Sequence, residues 1–265
     1  MLVVFIVHQD WSQALVSTLL PSGELTRDYL LNIVAVLGTT ISPYLFFWQA
    51  SQEIEEEIDE GKTTISSRRG VSTTELKWMR TDVTAGMFVS NIVMWFIILT
   101  TASTLFRNGL HQIDSAAQAA EALKPLAGQF ASLLFAVGII GTGLLAVPIL
   151  AGSAAYAVAE TFRKPEGLSK KLKQAPVFYA VIALATLVGA TMNLLGINPI
   201  RALYYTAVIN GLVSPPLLLM LMLITNNRRI MGKHMNGRLS NTIGWLTTLA
   251  MTVAAAALLL SFTSS

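Results

Sequence analysis

Long apolar stretches alternate with short polar ones along the whole chain. The apolar stretches run over Leu25–Ser51, Val83–Phe106, Leu126–Ala159, Val177–Leu195, Ala202–Thr225 and Ile243–Phe262. Each has about the 20 mostly apolar residues that a helix needs to cross a bilayer. None alternates with the period of two that a barrel strand would show, and lipid leaves the backbone only those two solutions. The pattern therefore predicts an all-α integral membrane protein with about six transmembrane helices, forming a single membrane domain over residues 1–265. Met1–Val7 is apolar but too short to span and lacks the basic start and small-residue cleavage site of a signal peptide. Residues 1–24 read as the exit of a preceding helix followed by an external loop.

The polar connections set an orientation. Lys62, Arg68, Arg69, Lys77 and Arg80 lie between the first and second runs. Arg163, Lys164, Lys170, Lys171 and Lys173 lie between the third and fourth, and Arg228, Arg229, Lys233 and Arg238 between the fifth and sixth. The opposite connections carry only Arg107, Lys124 and Arg201. Lys and Arg are retained in the cytoplasm, so the first run is expected to pass from outside to inside and the C-terminus to lie outside. The acidic run Glu53, Glu55, Glu56, Glu57, Asp59 and Glu60 then reads as a solvated cytoplasmic extension of the first helix, with a metal-binding mouth as the alternative.

Composition narrows the function. Hydrophobic residues make up 53% of the chain and charged residues 12%, against roughly 25% in a soluble domain. Mean hydropathy is +0.59. The pI of about 9.2 comes from loop cations rather than a basic patch, so nucleic acid is not an expected partner; lipid is. The chain has no cysteine, which removes disulfides, zinc–thiolate sites and thiol nucleophiles. His8, His111 and His234 are scattered near membrane ends, not clustered as metal ligands. No span pairs a nucleophile with an acid or base, so an enzyme is not expected.

The informative stretch is Leu37, Gly38, Thr39, Thr40, Ile41, Ser42, Pro43, Tyr44, in the middle of the first run. Pro43 has no N–H to donate and pushes Ser42 toward extended geometry. Thr39, Thr40 and Ser42 can bond locally to freed backbone groups. A helix that stops and restarts near mid-membrane follows, and unwound carbonyls of that kind hold cations in transporters; a simple proline kink is the alternative. Asn91, Asn193 and Asn210 are costly in lipid and each predicts a partner or a cavity. Asn210 precedes Gly211, Pro215 and Pro216, a second place for an interruption. Interhelical bonding is the reading for Asn91 and Asn193. Gly141, Gly143, Gly152, Ser153, Ala154 and Ala155 read as small-residue packing faces. Gly138, Gly141, Gly143 and Pro148 give the third run room for a break. No buried acid is expected inside any span, Glu160 and Asp82 sitting at ends, although a divalent cation calls for one.

Four motifs in order resemble the NRAMP (natural resistance-associated macrophage protein) divalent-metal transporters. They are GTTISPYLFFWQASQE from Gly38, SNIVMWFIILTTA from Ser90, PLAGQFASLLFAVGIIGTGLLAVPILAGSAAYAVAE from Pro125 and INGLVSPPLLLMLMLITNNRRIMG from Ile209. FIVHQDW from Phe5 is similar to the exit of the family's fifth helix. The resemblance implies a partial leucine-transporter-like fold of inverted repeats, of which this chain holds helices six to eleven. It implies proton-coupled transport of manganese or iron-class divalent ions across a bacterial inner or plasma membrane. The ion is cargo, and no resident cofactor is expected. By position the implied ligands are Thr39 through its carbonyl, Ser42 in place of the family's methionine, and Asn210 where the family carries a glutamine. The family's first-helix Asp and Asn have no counterpart here, so a polypeptide supplying helices one to five is an expected partner. An amino-acid or organic-solute carrier of the same fold superfamily, or a non-transporting membrane subunit or fragment, are the alternatives.

Overall fold

The computed structural model describes residues 10–20, 26–68, 70–192 and 194–263, and leaves the side chain of Leu126 aside. Residues 5–9 of the FIVHQDW motif, Leu25, Arg69 and Asn193 lie outside the described residues. Among the described residues the secondary structure is helical throughout. The α-helices are α1 (Trp11–Leu19), α2 (Arg27–Ile41), α3 (Tyr44–Asp59), α4 (Thr73–Thr104), α5 (Ala116–Ala120), α6 (Lys124–Ala127), α7 (Ala131–Thr161), α8 (Pro176–Thr191), α9 (Pro199–Thr225), α10 (Arg228–Met231) and α11 (Arg238–Thr263).

Local chemistry sets the helix starts. Thr26 caps α2 by accepting the Tyr29 N–H at 3.3 Å, with Asp28 in the first turn. Ser72 and Glu75 close a reciprocal capping box at the start of α4. Pro176 opens α8 at a position where a missing N–H costs nothing.

Among the described residues five helical stretches are long and apolar enough to cross a membrane: Arg27–Asp59, Thr73–Asn108, Gly128–Thr161, Pro199–Thr225 and Arg238–Thr263. The run expected over 177–195 forms the shorter apolar helix Pro176–Thr191. Its 16 residues rise about 24 Å, less than a hydrocarbon core of about 30 Å. At the two further places where the sequence leaves room for a break, none occurs. Helix α7 is continuous through Pro148, and α9 through Pro215 and Pro216.

The described residues fall into two compact units, one drawn from Met1–Pro21 and Phe47–Ile200, the other from Ser22–Phe46 and Arg201–Ser265. In the first, Ala155, Tyr156, Ala159, Ala175 and Phe178 form a buried core between α7 and α8, against which Trp48 of α3 packs. Gly152 makes room for the Trp48 ring, since a Cβ there would lie 2.5 Å from Cζ3. Gly141 and Gly143 face open space instead, so of the expected small-residue faces only the Gly152 end packs within this chain. In the second unit, Val34 and Ala35 of α2, Val208 of α9 and Leu258 of α11 make the core. Arg27 lies 4.0 Å over the Phe262 ring.

Outside these cores the helices are apolar on their surfaces. Leu144 and Leu145 of α7 are each 74% exposed, and Phe88 of α4 is 67% exposed. Water does not tolerate continuous apolar surface on this scale; lipid does. The chain is an all-α, multi-pass membrane protein.

Candidate functional site

In an uninterrupted helix the Thr39 carbonyl would accept from the N–H four residues on. That residue is Pro43, which has none. The backbone responds by ending α2 at Ile41 and turning Ser42 into the left-handed region, at φ 45° and ψ 73°. A non-glycine residue there is strained, and such strain is held only where the surroundings enforce it. Helix α3 restarts at Tyr44, with Leu45 and Phe46 donating to the carbonyls of Ser42 and Pro43 at 2.9 and 3.1 Å. The helix carrying Pro43 is broken.

Ser42 is buried at 8% exposure, and its hydroxyl donates to the Thr39 carbonyl. The freed peptide oxygen and the hydroxyl are thus paired with each other. The Thr40 hydroxyl donates to the Val36 carbonyl of its own helix at 2.7 Å. Thr39 itself is exposed.

Helix α9 crosses α2 close to this break. A Cβ on Gly38 would overlap the Ala207 carbonyl oxygen and the Gly211 amide nitrogen. A Cβ on Gly211 would overlap the Val34 carbonyl oxygen and lie 2.6 Å from Val34 Cγ1. Only two glycines permit backbones this close. Thr39 follows Gly38 and Asn210 precedes Gly211, so the crossing sets both beside one backbone contact. Asn210 is half-buried, and its carbonyl accepts the Ser214 hydroxyl at 2.7 Å.

All three of these oxygen donors are neutral. Among the described residues no three His, Asp or Glu side chains converge on a common point. Among the described residues Asn91 makes no interhelical bond; its amide donates to the Met87 carbonyl of its own helix at 2.7 Å.

A carboxylate attachment that sequence reasoning missed sits elsewhere, in the first unit. Glu55, read as solvated, accepts from the Tyr156 hydroxyl and from the Leu168 and Ser169 amides. Its partners lie 101 or more residues away, so nothing in the acidic run could have singled it out.

The family model for Nramp, described as natural resistance-associated macrophage protein-like, matches residues 1–261. The chain belongs to the Nramp family. Among Nramp relatives, the divalent metal cation transporter MntH of Caldanaerobacter subterraneus subsp. tengcongensis is 28% identical over 247 residues. That match covers 92% of this chain and 53% of the relative. The protein of the same name from Clostridium acetobutylicum is 25% identical over 245 residues, 92% of this chain and 52% of its own. The one from Deinococcus radiodurans is 26% identical over 215 residues, 80% and 45%. The chain spans about half the length of the curated relatives it matches.

Proposed function

We propose that the chain is the C-terminal part of an Nramp-type divalent-metal transporter, and that the ion is held at the Ser42–Pro43 break. The observation that supports this most is the Thr39 carbonyl, which Pro43 deprives of a backbone donor and which the rotatable Ser42 hydroxyl covers. Turning the Ser42 hydroxyl aside exposes a peptide oxygen and a hydroxyl oxygen to the same point. The side-chain oxygen of Asn210, next to the Gly38–Gly211 crossing, supplies a third.

Neutral oxygens alone compensate a divalent ion poorly when it leaves water. A carboxylate therefore comes from the counterpart of the family's helices one to five, supplied by a further segment or polypeptide. The ions are of the manganese and iron class, moved with protons across a bacterial inner or plasma membrane. A hydroxyl at Ser42 offers no soft ligand, so discrimination against magnesium and calcium is weak. The break leaves α2 and α3 free to move separately, which is how access to the ion alternates.

Co-reconstitution of this chain with the N-terminal half of the Caldanaerobacter relative tests the reading. Manganese uptake into liposomes, with little preference over magnesium and accompanied by internal acidification, is the expected result. Ser42→Met should raise the manganese preference. Absence of uptake of any divalent ion sinks the transport reading, and an unchanged preference in Ser42→Met removes Ser42 from the ligand set.

A further inference from the structure

The polar end of α3 is held through Glu55 of its acidic run. Both carboxylate oxygens of Glu55 are engaged by the loop that follows α7. The Leu168 N–H donates to Oε1 at 3.0 Å and the Ser169 N–H to Oε2 at 3.1 Å. The Tyr156 hydroxyl donates to Oε1 as well, and the Gln52 amide donates to the Tyr156 oxygen at 3.0 Å. Gly167 makes the approach possible. Its φ is 134°, and a Cβ there would lie 3.0 Å from Glu55 Oε1. Three donors on one carboxylate, two of them consecutive backbone amides, form a directed and charge-assisted attachment.

Glu166 adjoins this attachment, and its Oε2 is buried without a hydrogen-bond partner. The ionisable groups facing it are Glu160 from the end of α7, Glu55 from α3 and Lys170 from its own loop. Burial first, and then the charges of Glu160 and Glu55, push its carboxyl above the ordinary 4.5, with Lys170 acting against them.

We propose that Glu55 is the positioning residue that pins α3 to the loop after α7, and that ionisation of Glu166 loosens the pin. A protonated Glu166 adds no charge to this site; an ionised one adds a negative charge that repels Glu55. The pinned state, in which the Glu166 pKa is raised, is favoured fully below 4.5 and loses that advantage as pH rises through the raised value. The proposal rests on the reading that α2 and α3 move separately during transport, because a pin on α3 then governs that movement.

Hydrogen exchange read by mass spectrometry on the full chain in lipid nanodiscs tests the pin without transport. Amide protection over Leu168 and Ser169, corrected for intrinsic exchange, should fall severalfold between about pH 5 and about pH 8. Glu55→Gln should lower protection about tenfold at both pH values. Glu166→Gln should keep it high at both. Tyr156→Phe removes one donor but keeps the ring on Trp48 and Phe178, so it should fall between and report that the core is intact. Unchanged protection in Glu55→Gln overturns the pin, and a pH slope that survives Glu166→Gln overturns the switch. Loss of metal uptake with this exchange pattern intact would strike the transport reading alone.

Discussion

The Ser42 hydroxyl donates to the Thr39 carbonyl, the oxygen that Pro43 strips of its backbone donor. The two residues therefore compensate one defect together. Ser42→Ala leaves a carbonyl without a donor and should destabilise the chain by about 1–3 kcal/mol. Pro43→Ala returns an N–H to the position four residues on, so Ser42→Ala in that background should cost almost nothing. Unfolding in mixed micelles, followed by circular dichroism across the four variants, measures the coupling. Equal costs for Ser42→Ala in both backgrounds would show that the hydroxyl does not replace the missing amide.

The Gly38–Gly211 crossing predicts a sharp size limit. Gly38→Ala sets a methyl group against the Ala207 carbonyl and the Gly211 amide, rigid backbone that cannot give way. Gly211→Ala meets Val34 in the same manner. Each should cost more than about 3 kcal/mol or prevent folding. Gly141→Ala, where a Cβ meets nothing within 4 Å, is the control and should change little. Similar midpoints for Gly38→Ala and Gly141→Ala in the same unfolding assay would contradict the close crossing.

Asp10 gives α1 a pH dependence of definite sign. The Gln13 backbone N–H, and then the Ser12 hydroxyl, hold its carboxyl below the usual 3.8. A depressed value means that the stabilisation is present above 3.8 and is lost as pH falls through the lower folded value. Amide exchange over Trp11–Leu19 should therefore quicken only in that acid range. Asp10→Asn, which still caps but does not titrate, should remove the pH step while keeping protection. A step that persists in Asp10→Asn would assign it to another group.

What the sequence made legible is what depends on near neighbours. Apolar run length gave the long helices, and the stereochemistry of Pro43 gave the break, because both act within a few residues. Pro215 and Pro216 carry the same local signal, yet α9 stays helical there, with the Ser214 hydroxyl bonding back to Asn210. A proline raises the cost of continuing a helix, and packing decides whether that cost is met. Asn91 likewise satisfied itself within one turn, an outcome that spacing alone does not separate from an interhelical bond. Glu55 was beyond reach for the opposite reason. Its role is set by amides 113 and 114 residues away, and the one local hint, a glycine at position 167, is common in loops.

The absence of cysteine makes the topology directly measurable, since any single introduced thiol labels alone. The loop cations predict Thr63 and Lys173 inside, and Gln112 and Thr263 outside. A membrane-impermeant maleimide added to intact cells should label Gln112→Cys and Thr263→Cys at once, and Thr63→Cys and Lys173→Cys only after permeabilisation. The reverse pattern would invert the orientation without touching the fold. Leu195→Cys decides the harder case of α8, whose 16 residues reach about 24 Å. If the bilayer thins or flanking residues extend to meet that helix, as short spans require, Leu195→Cys labels from outside. Labelling only after permeabilisation would mean that α8 does not cross, and that the basic-residue count at Arg201 no longer marks an external loop.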